Sequence, residues 1–330
     1  MNKPKIALLY GGYSKEEEIS QHSADCIALS LDKSKYDTYR ILITEKEWLF
    51  MDGDHKTPVD KNDFSFVTKQ KEKITPDIAY IMIHGTPGED GLLQGYFDML
   101  KIPYTTCNAF VAALTFNKAA TKHYIEKHGY ITAPARLYRK NEVCNPDELI
   151  IKLGLPMFIK PNNGGSSFGV TKVITKEDII PAIEKAFMED HEVIAESFIN
   201  GMELTCGVLQ SCGKKIVFSA TEIVPKKESQ KEFFDYEAKY KGLADEITPA
   251  RISDELMAEV QETSSKIYDL LGCSGVVRVD YLYSQGRLYF MEINTIPGMS
   301  QASIIPQQAQ HYGMTVSELN DLLIQDKLKS

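Results

Sequence analysis

The sequence lacks the signatures that most quickly assign a chain to a class. Its six cysteines (Cys26, Cys107, Cys144, Cys206, Cys212, Cys273) include no Cys-x-x-Cys pair. That argues against a zinc site or a dithiol redox centre, and reduced, buried thiols are expected. No apolar run approaches the length of a membrane span. The start, Met1-Asn2-Lys3-Pro4-Lys5, leads into an apolar run too short for a secretory segment, so a cytoplasmic protein free of membranes is expected. Positive charge is not in excess: the formal net charge is −9, which argues against a nucleic-acid binder. Neither Gly-x-Gly-x-x-Gly nor the Gly-Lys-Ser/Thr of a P-loop occurs, so the dinucleotide and Walker fingerprints are both missing. There is no internal repeat and no low-complexity tract. What remains is an ordinary globular composition, 43% hydrophobic and 25% charged, over 330 residues. That length predicts two or three domains.

The most informative stretch runs from Gly275 to Gly298. Arg278-Val279-Asp280-Tyr281-Leu282-Tyr283 and Leu288-Tyr289-Phe290-Met291-Glu292-Ile293-Asn294 are rich in β-branched and aromatic residues, and Ser284-Gln285-Gly286 lies between them. The pattern predicts a β-hairpin. A three-residue loop would place Asp280 on the same face as Glu292 and Asn294; a two-residue loop would place them on opposite faces. One face would then carry two carboxylates, an amide oxygen and Arg278. Such oxygen donors suit Mg²⁺, which needs few protein ligands and leaves room for water and phosphate.

The chain opens on a strand, Ile6-Ala7-Leu8-Leu9-Tyr10, apolar enough to be buried on both faces. Gly11-Gly12 turn it, and Ser14 with Glu17 predicts a capping box and a helix to about Leu31. Further strands are expected at 41–43, 77–83 and 103–105, a small hairpin from Trp48, a polar loop over 52–75 and a helix over 92–100. His84-Gly85 ends the third buried strand, where open α/β sheets bind ligands. From Asn108 the pattern reads as one helix through Lys127, carrying Lys118. Strands at 135–138, 191–198, Glu203–Leu209 and 214–223 follow, with helices at 146–152, 176–188 and 253–271. Residues 300–305 read as a loop, and 315–327 as a closing helix.

Two loops stand out. Pro156 to Lys160 is a strand, and Pro161-Asn162-Asn163-Gly164-Gly165-Ser166-Ser167-Phe168-Gly169 follows it. Flexible backbone and hydroxyls let several donors converge on an anion, with the strand lysine as a point charge. Residues 226–249 are charged with interleaved aromatics, including Phe233-Phe234-Asp235-Tyr236-Glu237-Ala238-Lys239-Tyr240, which is the pattern of a functional lid.

Taken in order, these stretches resemble the ATP-grasp ligases and, among them, the D-alanine–D-alanine ligase family. The resemblance rests on Gly11-Gly12-Tyr13-Ser14-Lys15-Glu16, His84-Gly85 with Gly88-Glu89-Asp90-Gly91, and Lys160-Pro161 with Gly165-Ser166-Ser167-Phe168-Gly169. It continues through Asp235 to Tyr240, Arg278-Val279-Asp280, and Glu292-Ile293-Asn294-Thr295 with Pro297-Gly298-Met299. It covers nearly the whole chain. It implies an α/β (α+β) ATP-grasp fold: an N-terminal open parallel-sheet domain over 1–106, then a two-lobed ATP-grasp domain with antiparallel sheets, divided into 107–196 and 197–330.

The resemblance also implies roles. Asp280, Glu292 and Asn294 would hold two Mg²⁺ ions, which Mn²⁺ could replace, with Glu292 bridging. Lys118, Lys160 and Ser167 would grip the phosphates of ATP, and Glu196 and Glu203 would meet adenine and ribose. Arg278 and the backbone N–H of Gly298 would hold an oxyanion. Glu16 would pair with the ammonium of the first D-alanine, and His84 would sit near its carboxylate. Lys239 and Ser303 would bind the carboxylate of the second. Glu16, Ser166 and Tyr240 would form a hydrogen-bonded set that closes the lid, and Tyr240 favours a dipeptide over an ester product. A homodimer is implied, with no nucleic-acid or membrane partner. The sequence departs from the family's pattern at Glu17, at Ser197-Phe198 and at Asn162-Asn163-Gly164. Two other readings compete: a carboxylate–amine or depsipeptide-forming relative using D-lactate or D-serine, and a catalytically silent ATP-binding regulator.

Overall fold

A computed structural model describes residues 3–165, 168–226 and 244–329. The lid residues Lys239 and Tyr240, and Ser166 and Ser167 of the glycine loop, lie outside them. Strand β1 (Lys5–Gly11) is an interior strand of a five-stranded sheet ordered β4-β3-β2-β1-β7. Its apolar run explains the placement: Ile6, Ala7, Leu8 and Leu9 are all fully buried. β2 (Asp37–Ile43) and β7 (Ile78–Ile81) flank β1 in parallel, whereas β3 (Trp48–Asp52) and β4 (His55–Pro58) form an antiparallel hairpin at the edge. The expected open parallel sheet is therefore mixed.

Gly11 and Gly12 turn the chain at φ +96° and +119°. A Cβ on Gly11 would lie 2.6 Å from the Ile43 carbonyl oxygen. The next helix, α1 (Glu17–Ser30), has no Ser14/Glu17 capping box: Glu16 is its N-cap, with no side-chain cap bond. The Ser14 hydroxyl is used elsewhere, donating to the His84 carbonyl (3.1 Å) and accepting from Glu16 N–H (3.2 Å). The stretch expected to be a polar loop holds β4 and a short pair, β5 (Phe66–Val67) and β6 (Lys73–Ile74). Phe66 anchors it by stacking on Phe50 at 4.4 Å. Residues 103–105 make only an isolated bridge, Ala79 with Tyr104.

Helix α2 (Leu92–Leu100) lies where the sequence placed it. The single helix expected from Asn108 is two, α3 (Ala109–Phe116) and α4 (Lys118–Lys127), broken at Asn117. Asn117 leaves helical geometry to N-cap α4, its side chain accepting from Ala120 N–H at 2.9 Å. β8 (Ile131–Thr132) follows. An antiparallel four-stranded sheet is ordered β11-β10-β12-β9, from β9 (Ala135–Arg139), β10 (Met157–Pro161), β11 (Thr171–Val173) and β12 (Glu192–Ser197). Its core includes Leu149 of α5 (Pro146–Leu153) and Ile183 of α6 (Ile179–Phe187).

A seven-stranded sheet follows the path β16-β15-β13-β17-β18-β8, with β14 paired to β13. Its strands are β13 (Met202–Ser211), β14 (Lys214–Val217), β15 (Thr221–Pro225), β16 (Ala244–Ile247), β17 (Gly275–Ser284) and β18 (Arg287–Asn294). The one strand expected over 214–223 is thus two. Helix α7 (Asp254–Leu271), N-capped by Ser253, packs on this sheet. Helix α8 (Ile304–His311) begins inside the stretch expected to be a loop. It is held by Gln308, fully buried, which accepts from Gly207 N–H (2.9 Å) and donates to the Thr205 carbonyl (3.0 Å). The capping box that does form is Thr315/Glu318, at the start of α9 (Val316–Leu328). α9 returns to the first sheet, where Tyr80 Oη donates to Asn320 Oδ1 at 2.7 Å.

Candidate active site

The β17–β18 hairpin closes on a two-residue turn, Gln285-Gly286, with Ser284 opposite Arg287. Both turn residues have positive φ, +50° and +74°, as a tight hairpin turn of this kind requires. That corrects the three-residue loop expected from sequence. The shared face survives because the register shifts between Asp280 and Tyr281: Tyr281 pairs with Phe290, but Asp280 pairs with Glu292 and Arg278 with Asn294. Met291 is the extra residue of a β-bulge. Continuous pairing would have set Asp280 against Met291 and turned Glu292 and Asn294 to the other face.

Asp280, 6% exposed, is the hub of this face. Arg278 grips it with two bonds, Nε to Oδ1 (2.8 Å) and a terminal nitrogen to Oδ2 (2.7 Å). Asn294 Nδ2 donates to Oδ2 at 3.0 Å, and the Thr205 hydroxyl donates to Oδ1. With its nitrogen committed to Asp280, Asn294 keeps its amide oxygen for another partner. Two carboxylates and an amide oxygen fit a hard divalent cation. They form no cluster of three or more His, Cys, Asp or Glu groups among the described residues, so an ion here would draw its remaining ligands from phosphate and water. His84 lies near the Arg278 charge. Burial, with that charge, lowers its pKa to about 4 despite a hydrogen bond with the Ile296 backbone. It is therefore a neutral imidazole at pH 7, and its Nε2 has no hydrogen-bond partner among the described residues.

The glycine loop is tied to the hairpin by α4. Lys118, the first residue of that helix, donates to the Gly164 carbonyl and lies 3.6 Å from Glu292 Oε2. The asparagines that depart from the family's pattern hold the loop in place. Asn162 Oδ1 accepts from Ala119 N–H (2.8 Å), and Asn163 donates to Asp190 through both its backbone and its side chain. On β10, Lys160 forms an ion pair with Glu196 Oε2, and Lys122 of α4 pairs with Oε1. Burial pushes the Glu196 carboxyl up, but the two ammoniums outweigh it and hold its pKa at about 2.

The first sheet contributes a third side. Glu16, 5% exposed, is wedged between two glycines. A Cβ on Gly165 would lie 3.0 Å from its Oε1, and one on Gly85 3.1 Å from its Oε2. Beside it, Glu89 Oε2 accepts from Gly85 N–H at 2.8 Å. Burial, reinforced by the Glu16 charge, raises the Glu89 carboxyl to about 8.

These elements enclose a cavity of about 790 Å³ between the four-stranded and seven-stranded sheets. That is in the range of small-molecule sites, roughly 300–1,000 Å³. Of the residues singled out from sequence, Glu16, Lys118, Lys160, Glu196, Glu203, Asp280 and Glu292 line it, with Phe158, Phe198 and Leu282 as apolar wall. Arg278 and Asn294 join through Asp280. Gly298 and Ser303 are outside the lining but adjacent to each other: a Cβ on Gly298 would meet Ser303 Oγ at 2.9 Å. Sequence reasoning passed over Glu89 and Lys122 as site residues. The spacing Lys118-x-x-x-Lys122 on a helix was the available signal, since residues four apart share a face.

Comparison with known proteins covers both halves of the chain. Residues 5–107 match the family described as D-ala D-ala ligase N-terminus, and residues 125–325 match D-ala D-ala ligase C-terminus. The chain is similar to the D-alanine–D-alanine ligase of Bacteroides fragilis, at 47% identity over 98% of this chain and 99% of that one. Among solved structures it resembles D-alanyl-alanine synthetase A from Vibrio cholerae (TM-score 0.90, 27% identity, 100% of both chains). It also resembles the VanG D-Ala:D-Ser ligase from Enterococcus faecalis (TM-score 0.86, 33% identity, 98% and 99% covered). The Bacillus anthracis D-alanine–D-alanine ligase complexed with ATP is similar as well (TM-score 0.76, 30% identity, 99% and 97% covered).

Proposed function

The chain belongs to the D-alanine–D-alanine ligase family, and we propose that it joins two D-alanines into D-alanyl-D-alanine at the expense of ATP, for peptidoglycan precursor synthesis. ATP phosphorylates the carboxylate of the first D-alanine, the amine of the second attacks the acylphosphate, and phosphate leaves. The protein does little covalent work in such a sequence; positioning and charge neutralisation carry the rate.

The observation that carries this reading is the Lys118 bridge between Gly164 and Glu292, 3.6 Å from the latter. It sets a glycine-loop anion cradle beside an oxygen-donor face. Asp280, Glu292 and Asn294 are the residues that would hold Mg²⁺, two ions in our reading; bound there, the metal would neutralise phosphate charge. Lys118 and Lys160, with Ser167, would bind the phosphates. Glu196 and Glu203 would meet adenine and ribose against Phe158, Phe198 and Leu282. Arg278 and the Gly298 N–H would take up the negative charge of the tetrahedral oxyanion, and losing one such donor costs about 10²–10³ in turnover. Glu16 would bind the first ammonium, with His84 near the carboxylate of the same D-alanine. Ser303 and Lys239 would bind the second carboxylate, and Ser166 and Tyr240 would complete the closure that excludes water from the acylphosphate.

No helix among the described residues is long and apolar enough to cross a membrane. We place the enzyme in the cytoplasm as a homodimer. The test is phosphate release from ATP and Mg²⁺ with D-alanine, D-serine or D-lactate offered singly and in pairs. D-alanine alone should support turnover with dipeptide as product. Turnover only with a second, different acceptor would assign a depsipeptide or mixed ligase, and none at all would assign a binding module.

A further inference from the structure

Lys122 has no part in the roles above, yet it is the more deeply buried partner of Glu196. Its side chain is 5% exposed, against 16% for Lys160. Its Nζ meets Glu196 Oε1 at 2.5 Å, while Lys160 takes Oε2. All three side chains line the cavity. One carboxylate thus faces two ammoniums, and the cluster holds one cation more than it needs. Lys160 also feels the negative charge of Glu292 and so stands between two acids. Lys122, on α4 one turn beyond Lys118, shares that helix face.

We propose that Lys122 is a positioning residue: it is the permanent counter-ion of Glu196, freeing Lys160 to pass from that carboxylate to a nucleotide phosphate. The inference rests on reading the cavity as an ATP site. In the ligand-free protein Glu196 occupies Lys160 as a phosphate oxygen would. When phosphate arrives, the Lys160 ammonium exchanges one anionic oxygen for another. Without Lys122 the exchange would strand a buried carboxylate with no partner, or force it to take up a proton, and either outcome opposes nucleotide binding. With Lys122 in place, Glu196 stays ionised and fixed throughout.

The experiment uses the full chain and compares Lys122→Met, Lys122→Arg, Glu196→Gln and the double variant Lys122→Met/Glu196→Gln. The readouts are direct binding of a non-hydrolysable ATP analogue and the separate KM values for ATP and D-alanine, with circular dichroism as the folding control. Lys122→Met should weaken nucleotide binding by about tenfold or more and raise KM for ATP in step, while KM for D-alanine stays near the parent value. Lys122→Arg keeps the charge and should restore most of the binding. The double variant should bind nucleotide no worse than Glu196→Gln alone, because no buried charge then needs balancing. That comparison also decides the matter should Lys122→Met alone fail to fold. Parent-like nucleotide binding by Lys122→Met, or additive losses in the double variant, would overturn the proposal. A parent protein that releases no phosphate from ATP with D-alanine would instead refute the ligase reading.

Discussion

Binding of D-alanine should expel a proton from Glu89. The Glu89 carboxyl, raised to about 8 by burial and by the Glu16 charge, is protonated in the ligand-free protein at pH 7. With a pKa near 8, on the order of nine-tenths of these groups carry the proton at that pH. An ammonium placed against Glu16 cancels the charge that helps to hold the proton. Burial, the larger cause of the shift, remains, so the carboxyl falls below about 8 without returning to its ordinary range and ionises only in part. Release is therefore a fraction of a proton per site at pH 7, under a ceiling of roughly 0.9, and is at most roughly 0.1 at pH 9, where the free protein has already lost the proton. Lys118 and Glu292 also act on Glu89, with opposite and smaller effects. The assay is calorimetric titration of D-alanine, with a non-hydrolysable ATP analogue present, in buffers of different ionisation enthalpy. Release should vanish in Glu89→Gln. Proton uptake at pH 7, or unchanged release in Glu89→Gln, would refute the reasoning. The sign also bears on stability. A carboxyl raised in the folded state contributes stability that is complete below pH about 4.5 and lost as pH rises through about 8. Glu89→Gln should therefore flatten the loss of ligand-free stability across that window.

Glu292→Gln should abolish turnover while circular dichroism and thermal unfolding stay parent-like; unchanged activity would discredit the oxygen-donor face. Gln308→Ala should destabilise the protein by about 2–4 kcal/mol in urea unfolding, because Gly207 N–H, the Thr205 carbonyl and the Thr221 hydroxyl lose a buried partner together. A change under about 0.5 kcal/mol would show that water replaces it. Tyr240→Phe should raise the use of D-lactate relative to D-alanine at lower pH, and equal partitioning in mutant and parent across pH would reject that role.

Much of the fold was legible because the signals were local. The run Ile6–Leu9 could only be a strand buried on both faces, and α2 has its expected bounds because Gly91 and Lys101, both in left-handed geometry, stop it at either end. The misses came where a side chain chose a tertiary partner over a local one. Ser14 bonds to the His84 carbonyl instead of capping α1; Asn117 is the opposite case, a local cap for α4 that interrupts an otherwise helical pattern. Helix α8 hides its start because its anchoring bonds, from Gln308 to β13, are about a hundred residues away in sequence. The shared face of Asp280, Glu292 and Asn294 was inferred correctly from a loop length that was wrong. The bulge at Met291 compensates, and nothing in the local sequence marks it. Glu89 and Lys122 were passed over for a related reason: each matters through a charge supplied by a distant segment, Glu16 in one case and Glu196 in the other, and the helical spacing of Lys122 from Lys118 gave its face but not its partner.

Asp280, Glu292 and Asn294 are proposed to gather divalent ions beside the lysine-bearing glycine loop. The most direct test is a crystal of the protein with Mn²⁺ and a non-hydrolysable ATP analogue, with the metal located by anomalous scattering. Peaks are expected within about 2.0–2.3 Å of oxygens from Asp280, Glu292 and Asn294, with Lys118 and Lys160 on the phosphates. Nucleotide bound with its metal away from those three side chains would contradict that proposal.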